Sequence, residues 1–486
     1  MKNYFTKSII SCALLLLISL IIIIVSCSKP ALDYRELIDQ GEFSHAQEVI
    51  SNLLDQSTDL LPEEILALQF ESECLDRIKL DFQVTETEVR EYVIQYIPDA
   101  SDTNFKRWES SKSLEWRMID GEKRYFNRAG RNLFRIDAGA RQIWQELHSD
   151  VDEAAGSGQA QGIDVHNSEV IAAVKENGPG FVKPVRLRIK QAIEVDADVV
   201  PPGETIRCWI PYPRYLAQRQ INIELLATDP VDHILAKPDQ LQRTIYFEKP
   251  AVAGEKTRFE VEYEYTSFGS WTEIDPAKVT KVSRKSLQKY LRERPPHIVF
   301  TPELRAISQE VVGSETNPYL IAKKLFKWVD DNIPWASARE YSTIRNIPTY
   351  AIENHHGDCG IQTLTFMTLC RMNGIPTRWQ SGWEFKPPDD SMHDWGMIYF
   401  EPYGWVPMDV TYGVRDVTDE QGKWFYVSGM DSYRTIYNDD YSQPFYPAKI
   451  HHRSETIDSQ RGEVEWRGGN LYFDQWKWFH DWEIID

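Results

Sequence analysis

Cysteine is scarce in this chain: six occur among 486 residues, and they are Cys12, Cys27, Cys74, Cys208, Cys359 and Cys370. The last four lie scattered along the chain, which excludes the dense disulfide framework of small exported domains. Cys359 and Cys370 fall on one predicted helix, where their separation of about 16 Å is too long for a disulfide. Cys359 is therefore expected to be a free thiol.

Basic residues are also in short supply. Lysine and arginine total 54 against 74 aspartates and glutamates, which gives a net charge of −20 at pH 7. A broad nucleic-acid surface requires a basic footprint, so we expect no nucleic-acid partner. Hydrophobic residues make up 42% of the chain, enough for several cores. The length of 486 residues predicts two to four domains.

The first 27 residues have the pattern of an export signal. Lys2 and Lys7 precede an apolar run that ends in Ile24-Val25-Ser26-Cys27. A basic start, an apolar middle and a small residue before the cut are typical of exported precursors. The final four residues resemble the bacterial lipobox, in which the cysteine is lipidated. The alternative is an uncleaved signal anchor, since the apolar run nearly reaches the length of a membrane-spanning helix.

On this interpretation residues 1–26 are a lipoprotein signal peptide and Cys27 is the lipidation site. Lipid chains on Cys27 would hold the rest of the protein at a membrane face. We therefore expect a lipid-anchored protein of the bacterial cell envelope, on the periplasmic side or at the outer-membrane surface.

Apolar periodicity predicts a multidomain α+β protein. Residues 27–150 are predicted to be mostly helical, and the small polar residues of 151–170 predict a linker. Residues 171–270 alternate apolar with polar side chains and are rich in β-branched and aromatic types, which predicts a β-sandwich. A helical pattern followed by strands marks a core at 300–430, and 431–486 is a β-rich aromatic tail.

The aromatic tail has two possible uses. Arg467-Gly468-Gly469-Asn470 lies between β-rich runs and predicts a hairpin turn. The tail's tryptophans would form either an ordinary sheet packed on a core or a face on which sugars stack; these residues are Trp466, Trp476, Trp478 and Trp482.

Cys359 opens a predicted helix. Asp358 is a good N-cap, so Cys359 would lie in the first turn. Gly374 ends the helical pattern after Asn373. The partial positive charge at a helix start favours a thiolate over a thiol. Cys359 is therefore a candidate nucleophile, and its backbone N–H is a candidate oxyanion donor.

A base and an acid follow in a predicted hairpin of strands. His393 begins one strand, and Asp409 lies on the returning strand within a few residues of cross-strand register. A carboxylate there can accept a hydrogen bond from one imidazole nitrogen, which leaves the other nitrogen to face the sulfur. Trp335 and Gln362 are weaker candidates for a second oxyanion donor or for the wall of the cleft.

Two other interpretations of Cys359 stay open. It could be a small core residue, although this does not account for the offsets of His393 and Asp409. It could also ligate a metal together with His355 and His356. Against that, adjacent histidines point apart on an extended backbone, and no fourth ligand follows at a familiar spacing. We expect no metal and no cofactor.

Two stretches carry a family resemblance: "GDCGIQTLTFMTLCRMNGIPTRWQSGW" and "HDWGMIYFEPYGWVPMD". Over about residues 317–412 the order and spacing of these motifs resemble the transglutaminase-like superfamily. The resemblance implies a papain-like fold and a catalytic triad of Cys359, His393 and Asp409. The upstream β-sandwich resembles the domain that often precedes this core in bacteria.

The resemblance implies a cysteine hydrolase that attacks peptide or side-chain amides of a peptide or protein substrate through an acyl-enzyme. Two alternatives stay open: transfer of the acyl group to an amine, and a non-catalytic surface module that binds a peptide or glycan. No calcium loop of the Asp-x-Asp-x-Asp-Gly kind is evident, which argues against a calcium-dependent cross-linker.

Overall fold

The computed structural model of the protein describes residues 33–56, 59–147 and 157–485. The predicted signal peptide and Cys27 lie outside these residues. Among the residues that are described, no helix combines the length and apolarity needed to cross a membrane. The chain divides into two compact units, one of residues up to Glu86 together with Trp116–Tyr125, and one of Thr87–Glu115 together with the chain from Phe126 onwards.

The first unit is built of helices and one hairpin: α1 (Tyr34–Gln40), α2 (Phe43–Gln56), α3 (Pro62–Asp81), β1 (Trp116–Ile119) and β2 (Glu122–Tyr125). The side chain of Asp33 caps α1 by accepting a hydrogen bond from the Arg35 N–H. Gly41 ends α1 at φ +81°, a left-handed conformation that glycine adopts without strain. Phe43 and Ile50 of α2 are fully buried and supply part of this unit's core.

The second unit begins with four helices: α4 (Glu86–Ile94), α5 (Asp102–Ser110), α6 (Ala129–Ile136) and α7 (Ala138–Leu147). The ring of Trp144 packs on those of Tyr96 and Phe134, with centroids 4.7 and 5.0 Å away. The predicted helical N-terminal region is therefore confirmed, and the fold as a whole is α+β as predicted.

The linker predicted at 151–170 is wrong from residue 157 onwards. A 21-residue helix, α8 (Ser157–Asn177), occupies this part of the chain. Ile163, Val170, Ile171 and Val174 are buried in a hydrophobic core. Their spacing of three, four and seven residues is helical, but the small polar residues around them obscured it. Residues 151–156 lie outside the described residues.

The remaining elements complete the second unit. Its other helices are α9 (Pro302–Val312), α10 (Pro318–Asn332), α11 (Ile347–Asn354), α12 (Cys359–Met372), α13 (Glu420–Lys423) and α14 (Phe425–Ser428). Short 3-10 turns occur at Pro276–Lys278, Lys285–Tyr290, Tyr341–Thr343 and Val410–Tyr412. The first six strands are β3 (Phe181–Val195), β4 (Thr205–Pro211), β5 (Gln220–Asp229), β6 (Ile234–Leu235), β7 (Thr244–Pro250) and β8 (Thr257–Trp271). The other eight strands are β9 (Thr377–Lys386), β10 (Asp389–Phe400), β11 (Gly404–Met408), β12 (Gly429–Met430), β13 (Arg434–Asn438), β14 (Glu463–Trp466), β15 (Gly469–Leu471) and β16 (Trp476–Ile485).

Strands β3 to β8 form the predicted sandwich, but later strands complete it. One sheet has the order β12-β8-β3-β16 with β5 also paired to β8, and the other has the order β15-β14-β4-β7-β6. Side chains from both sheets share one buried core. The tail predicted at 431–486 is therefore not a separate part, because its strands pair with β3, β4 and β9.

The predicted hairpin at Arg467-Gly468 is confirmed, since β14 and β15 pair antiparallel across it. Trp476 is buried in the sandwich core, and Trp466, Trp478 and Trp482 pack against that core. The tail tryptophans therefore serve sheet packing, the first of the two uses considered from the sequence.

The predicted core is a helix packed on a four-stranded sheet of order β11-β10-β9-β13. Every residue of α12 from Gly360 to Arg371 is buried. This central helix begins beside β10, and the core continues beyond the predicted end at residue 430, because β13 forms one edge of its sheet.

Candidate active site

Cys359 is the first residue of α12, as the sequence predicts. The Asp358 carboxylate accepts a hydrogen bond from the Ile361 N–H (3.2 Å), and the Asp358 carbonyl accepts one from the Gln362 N–H (2.9 Å). Among the described residues, no atom accepts a hydrogen bond from the N–H groups of Cys359 and Gly360. Cys359 is half-buried, and two backbone donors lie at the sulfur end of the helix.

His393 and Asp409 come together directly. The His393 Nε2–H donates to Asp409 Oδ2 at 2.7 Å, and both side chains are buried. Pairing of β10 with β11 ends at Gly396 and Met408, so Asp409 leaves the strand at once and caps the following 3-10 turn. The hydrogen bond through Nε2 leaves Nδ1 as the second imidazole nitrogen.

A fully buried arginine supports this pair, and the sequence reasoning missed it. Arg434 donates to Asp409 Oδ2 (2.9 Å) and, through two nitrogens, to Asp431 Oδ2 (2.9 and 2.8 Å). Although burial opposes it, the charges of His393 and Arg434 hold the pKa of Asp409 below its ordinary value. Asp409 is therefore ionised. The spacing Asp431-x-x-Arg434, from the residue after the short strand β12 to the first residue of β13, was the available signal.

The thiol of Cys359 has a different partner from the one predicted. Its S–H donates to Asp394 Oδ2 at 3.3 Å. Within the described part of the chain, no hydrogen bond joins Cys359 to His393. The structure thus brings His393 and Asp409 together and pairs Cys359 with Asp394, the residue next to His393. The triad roles of the three residues remain a prediction.

The chain matches the family model of the transglutaminase-like superfamily over residues 305–410. This segment belongs to that superfamily. Two solved structures resemble the chain more distantly. A "putative cysteine protease" from Cytophaga hutchinsonii is 13% identical, with 63% of this chain and 92% of that chain covered and a TM-score of 0.41. A "putative protease" from Parabacteroides distasonis is 8% identical, with 48% and 70% covered and a TM-score of 0.18. No curated protein matches the chain.

Beneath the sulfur, the transglutaminase-like core holds a buried pair of acids. Asp394 Oδ1 accepts a hydrogen bond from Gln460 Nε2 (2.9 Å), and the Tyr341 hydroxyl lies 3.2 Å from Asp394 Oδ2. The carboxyl group of Asp458 is also buried and acts electrostatically on that of Asp394. Burial, followed by the neighbouring Asp458, raises the pKa of Asp394 well above its ordinary value. Because neighbouring buried carboxylates repel each other, this arrangement favours a proton on one of the pair.

The surroundings of Cys359 oppose the predicted preference for the thiolate. Burial, followed by the charges of Asp394 and Asp358, raises the pKa of the Cys359 thiol well above its ordinary value. The helix terminus, which favours the thiolate, acts in the opposite direction. The sequence reveals the helix start but not that Asp394 and Asp458 fold against it.

Gln362 and Trp335 are the two weaker candidates for the oxyanion site or the wall of the cleft. Gln362 is buried, and its Nε2 donates to the Ile333 carbonyl at 2.7 Å. Trp335 pairs in parallel with Gly357, through an Ala336 N–H to Gly357 carbonyl hydrogen bond of 3.0 Å, and its side chain is 41% exposed. Gln362 therefore anchors the chain at Ile333. The indole of Trp335 is exposed, and Gly357, its pairing partner, lies two residues before Cys359.

The two histidines before Cys359 lie apart from each other. His355 ends α11 in the left-handed region at φ +56° and is exposed. His356 is buried, with Nδ1 2.9 Å from the Asn354 carbonyl and Nε2 3.5 Å from the Tyr350 hydroxyl. In residues 33–56, 59–147 and 157–485 no group of three or more His, Cys, Asp and Glu side chains is placed to hold a metal ion.

Glycine at position 360 is required by close packing. A Cβ there would meet the Tyr341 hydroxyl and lie 2.7 Å from Asp394 Oδ2, so any other residue would displace these side chains or the helix start. The Gly-Asp-Cys-Gly run of the transglutaminase-like core thus lets the sulfur approach the strand that carries His393.

Proposed function

We propose that this protein is a cysteine hydrolase that cleaves peptide or side-chain amide bonds through an acyl-enzyme. Cys359 is the nucleophile, His393 carries the proton and Asp409 orients His393. The observation that carries the proposal is the 2.7 Å hydrogen bond from His393 Nε2 to an ionised Asp409. It fixes the tautomer in which Nδ1 is the proton acceptor.

The proposed reaction starts from a neutral thiol. His393 takes the Cys359 proton as the sulfur attacks the carbonyl carbon, and the resulting imidazolium is stabilised by Asp409. The oxyanion accepts hydrogen bonds from the free N–H groups of Cys359 and Gly360. When the C–N bond breaks, His393 protonates the departing amine and a thioester remains. Water then attacks the thioester with His393 as base, which releases the acid and restores the thiol.

In the resting geometry the thiol donates to Asp394 instead of His393. The proposal therefore requires that the sulfur turn from Asp394 to His393 when substrate occupies the cleft. A rotation about χ1 of Cys359 moves the sulfur without moving the helix. The raised pKa of Cys359 ensures that the resting site holds its proton until that rotation occurs.

Turnover of an amide library by purified protein tests the function. The Cys359→Ala and His393→Ala variants should lose activity, and a thioester on Cys359 should be detected by mass spectrometry when water attack is slowed. Cys74→Ala is the matched control, because Cys74 is half-buried like Cys359 but lies in the first unit. Undiminished turnover by Cys359→Ala would overturn the proposal. Incorporation of an added amine would assign acyl transfer instead.

One observation favours the non-catalytic alternative. Tyr341, from the segment before α11, and Gln460, from the loop before β14, both bind Asp394, so two segments meet beside the sulfur. If these two segments close the cleft permanently, the Cys359→Ala variant and the wild type should bind a ligand equally well. In that case neither protein should cleave any amide.

We further propose that the protein is a cell-envelope lipoprotein anchored through Cys27. The support is the lipobox-like Ile24-Val25-Ser26-Cys27 after an apolar run. Cys27→Ser should move the protein from the membrane fraction to the soluble fraction of cells and abolish labelling by a fatty-acid analogue. Ser28→Ala is the matched control and should change neither. Retention of Cys27→Ser in membranes without label would assign the uncleaved anchor instead.

A further inference from the structure

Three arginines at and within α6 form what we call the arginine face: Arg128, which directly precedes the helix, and Arg131 and Arg135 inside it. Their spacing of three and four residues places them on one side of the helix. Arg128 and Arg131 are exposed, and Arg135 is half-buried. Burial, followed by the charges of Arg131 and Arg128, lowers the pKa of Arg135, so the guanidiniums act on one another.

No described carboxylate forms an ion pair with any of these three arginines, which is unusual in this acidic chain. Arg415 and Arg461, by contrast, each bind a carboxylate through two nitrogens. Like charges held together without a counter-ion repel each other, so an anion bound between them would be stabilised.

Contacts of named residues place the arginine face beside the candidate active site. The Arg135 guanidinium stacks on the Trp335 ring, 4.5 Å from its centroid. Asn132, on the same helix, donates to the Ser337 carbonyl (2.7 Å) and accepts from the Ser337 N–H (3.0 Å). This segment pairs with Gly357, two residues before Cys359. A ligand extended from the sulfur over Trp335 therefore meets the arginine face.

We propose that the arginine face binds carboxylate groups of the substrate, so that the amide attacked by Cys359 lies in an acidic peptide segment. The inference rests on the proposed function. Guanidinium groups bind carboxylates through paired, charge-assisted hydrogen bonds, which suits side chains of glutamate and aspartate. The protein's net charge of −20 would repel a long polyanion, whereas a short acidic segment can lie within the local field of three arginines.

Binding to the full chain carrying Cys359→Ala tests this without turnover. The probes are a labelled peptide with three glutamates flanking its central amide and the same peptide with glutamines. Adding Arg128→Gln and Arg131→Gln should weaken binding of the glutamate peptide about tenfold at low salt and leave the glutamine peptide unchanged. High salt should abolish the difference between the peptides, because exposed charge pairs are screened.

Lys285→Gln with Lys289→Gln is the matched control, since it removes two exposed charges on a different element of the same unit. It should not change binding of the glutamate peptide. Any of three outcomes would overturn the inference. The two peptides could bind equally well, the lysine control could weaken binding as much as the arginine variant, or the protein could bind anionic vesicles in place of peptide. If the wild-type protein cleaves the glutamate and glutamine peptides equally well, the inference about the arginine face is overturned but the hydrolase function stands. Charge-dependent binding without any cleavage would overturn the hydrolase function and leave the arginine face as a binding site for acidic peptides.

Discussion

At the scale of single residues, the sulfur of Cys359 lies between two possible proton partners. Asp394 accepts its S–H in this structure, while the neighbouring His393 is held by Asp409. Adjacent residues of a strand point to opposite faces, so His393 and Asp394 lie on opposite faces of β10. The reactivity of the thiol is therefore governed by a residue with no part in the predicted triad.

Asp394→Asn should make Cys359 more reactive. The pKa of the wild-type thiol is raised, so its thiolate forms only as the pH rises through that higher value, and alkylation at pH 7 is slow. The amide cannot become a carboxylate beside the sulfur, and it offers an N–H to the sulfur. Iodoacetamide should then alkylate Cys359 at pH 7 about tenfold faster.

Peptide mapping after alkylation at several pH values measures this effect. Asp389→Asn, an exposed acid on the same strand, is the control and should leave the profile unchanged. Cys208 and Cys370 are fully buried and should stay unlabelled throughout. An unchanged profile for Asp394→Asn would show that this carboxyl does not set the pKa of Cys359.

At the scale of elements, the loop between β13 and β14 supports the site through one side chain. Gln460 Nε2 lies 3.1 Å from the Gly382 carbonyl on β9, 3.0 Å from the His393 carbonyl on β10 and 2.9 Å from Asp394 Oδ1. Gln460 therefore links two neighbouring strands of the core sheet to the acid beneath the sulfur.

Gln460→Ala should destabilise the second unit and change the thiol at the same time. Leaving buried acceptors without a donor costs about 1–3 kcal/mol of the free energy of unfolding, which urea titration measures. Loss of a donor to Asp394 should also alter the pH profile of Cys359 alkylation. Gln443→Ala is the control, since Gln443 lies in the same loop and its side chain donates to Asp440 and to the Tyr441 carbonyl, away from Asp394. A drop in stability with no change in that profile would limit Gln460 to a structural role.

Some elements of the site could be predicted from the sequence because local chemistry determines them. Asp358 caps α12 whatever surrounds it, and alternation of apolar residues marks β9 and β10. Asp458 and Gln460 could not be predicted in this way, since they lie in a loop without periodicity and reach the site only through the tertiary fold. The acid cluster and the raised pKa of Cys359 follow from that unpredicted contact.

At the scale of the whole chain, segments far apart in sequence close the same layers. β16 pairs with β3 over ten residues, and β14 pairs with β4. The transglutaminase-like core lies between these partners in the sequence. A sequence-based division into consecutive domains fails here, because periodicity identifies a strand but not the distant strand that it joins.

Trp476→Ala tests whether β16 is part of the sandwich core. Trp476 is 1% exposed, and its truncation should cost about 3–5 kcal/mol of the free energy of unfolding. Phe479→Ala on the same strand is the control, since that ring is 41% exposed and should matter much less. Urea or thermal unfolding measures both. Equal, small effects would instead mean that the tail contributes little to the core.

The pairing of β16 with β3 also affects how the protein is made. While the ribosome is still translating the core, β3 has no partner on one side, and the sandwich core lacks Trp476. The sandwich therefore stays incomplete until β16, which follows the core in the sequence, has been made. Folding of this region must wait for a strand that is synthesised long after β3.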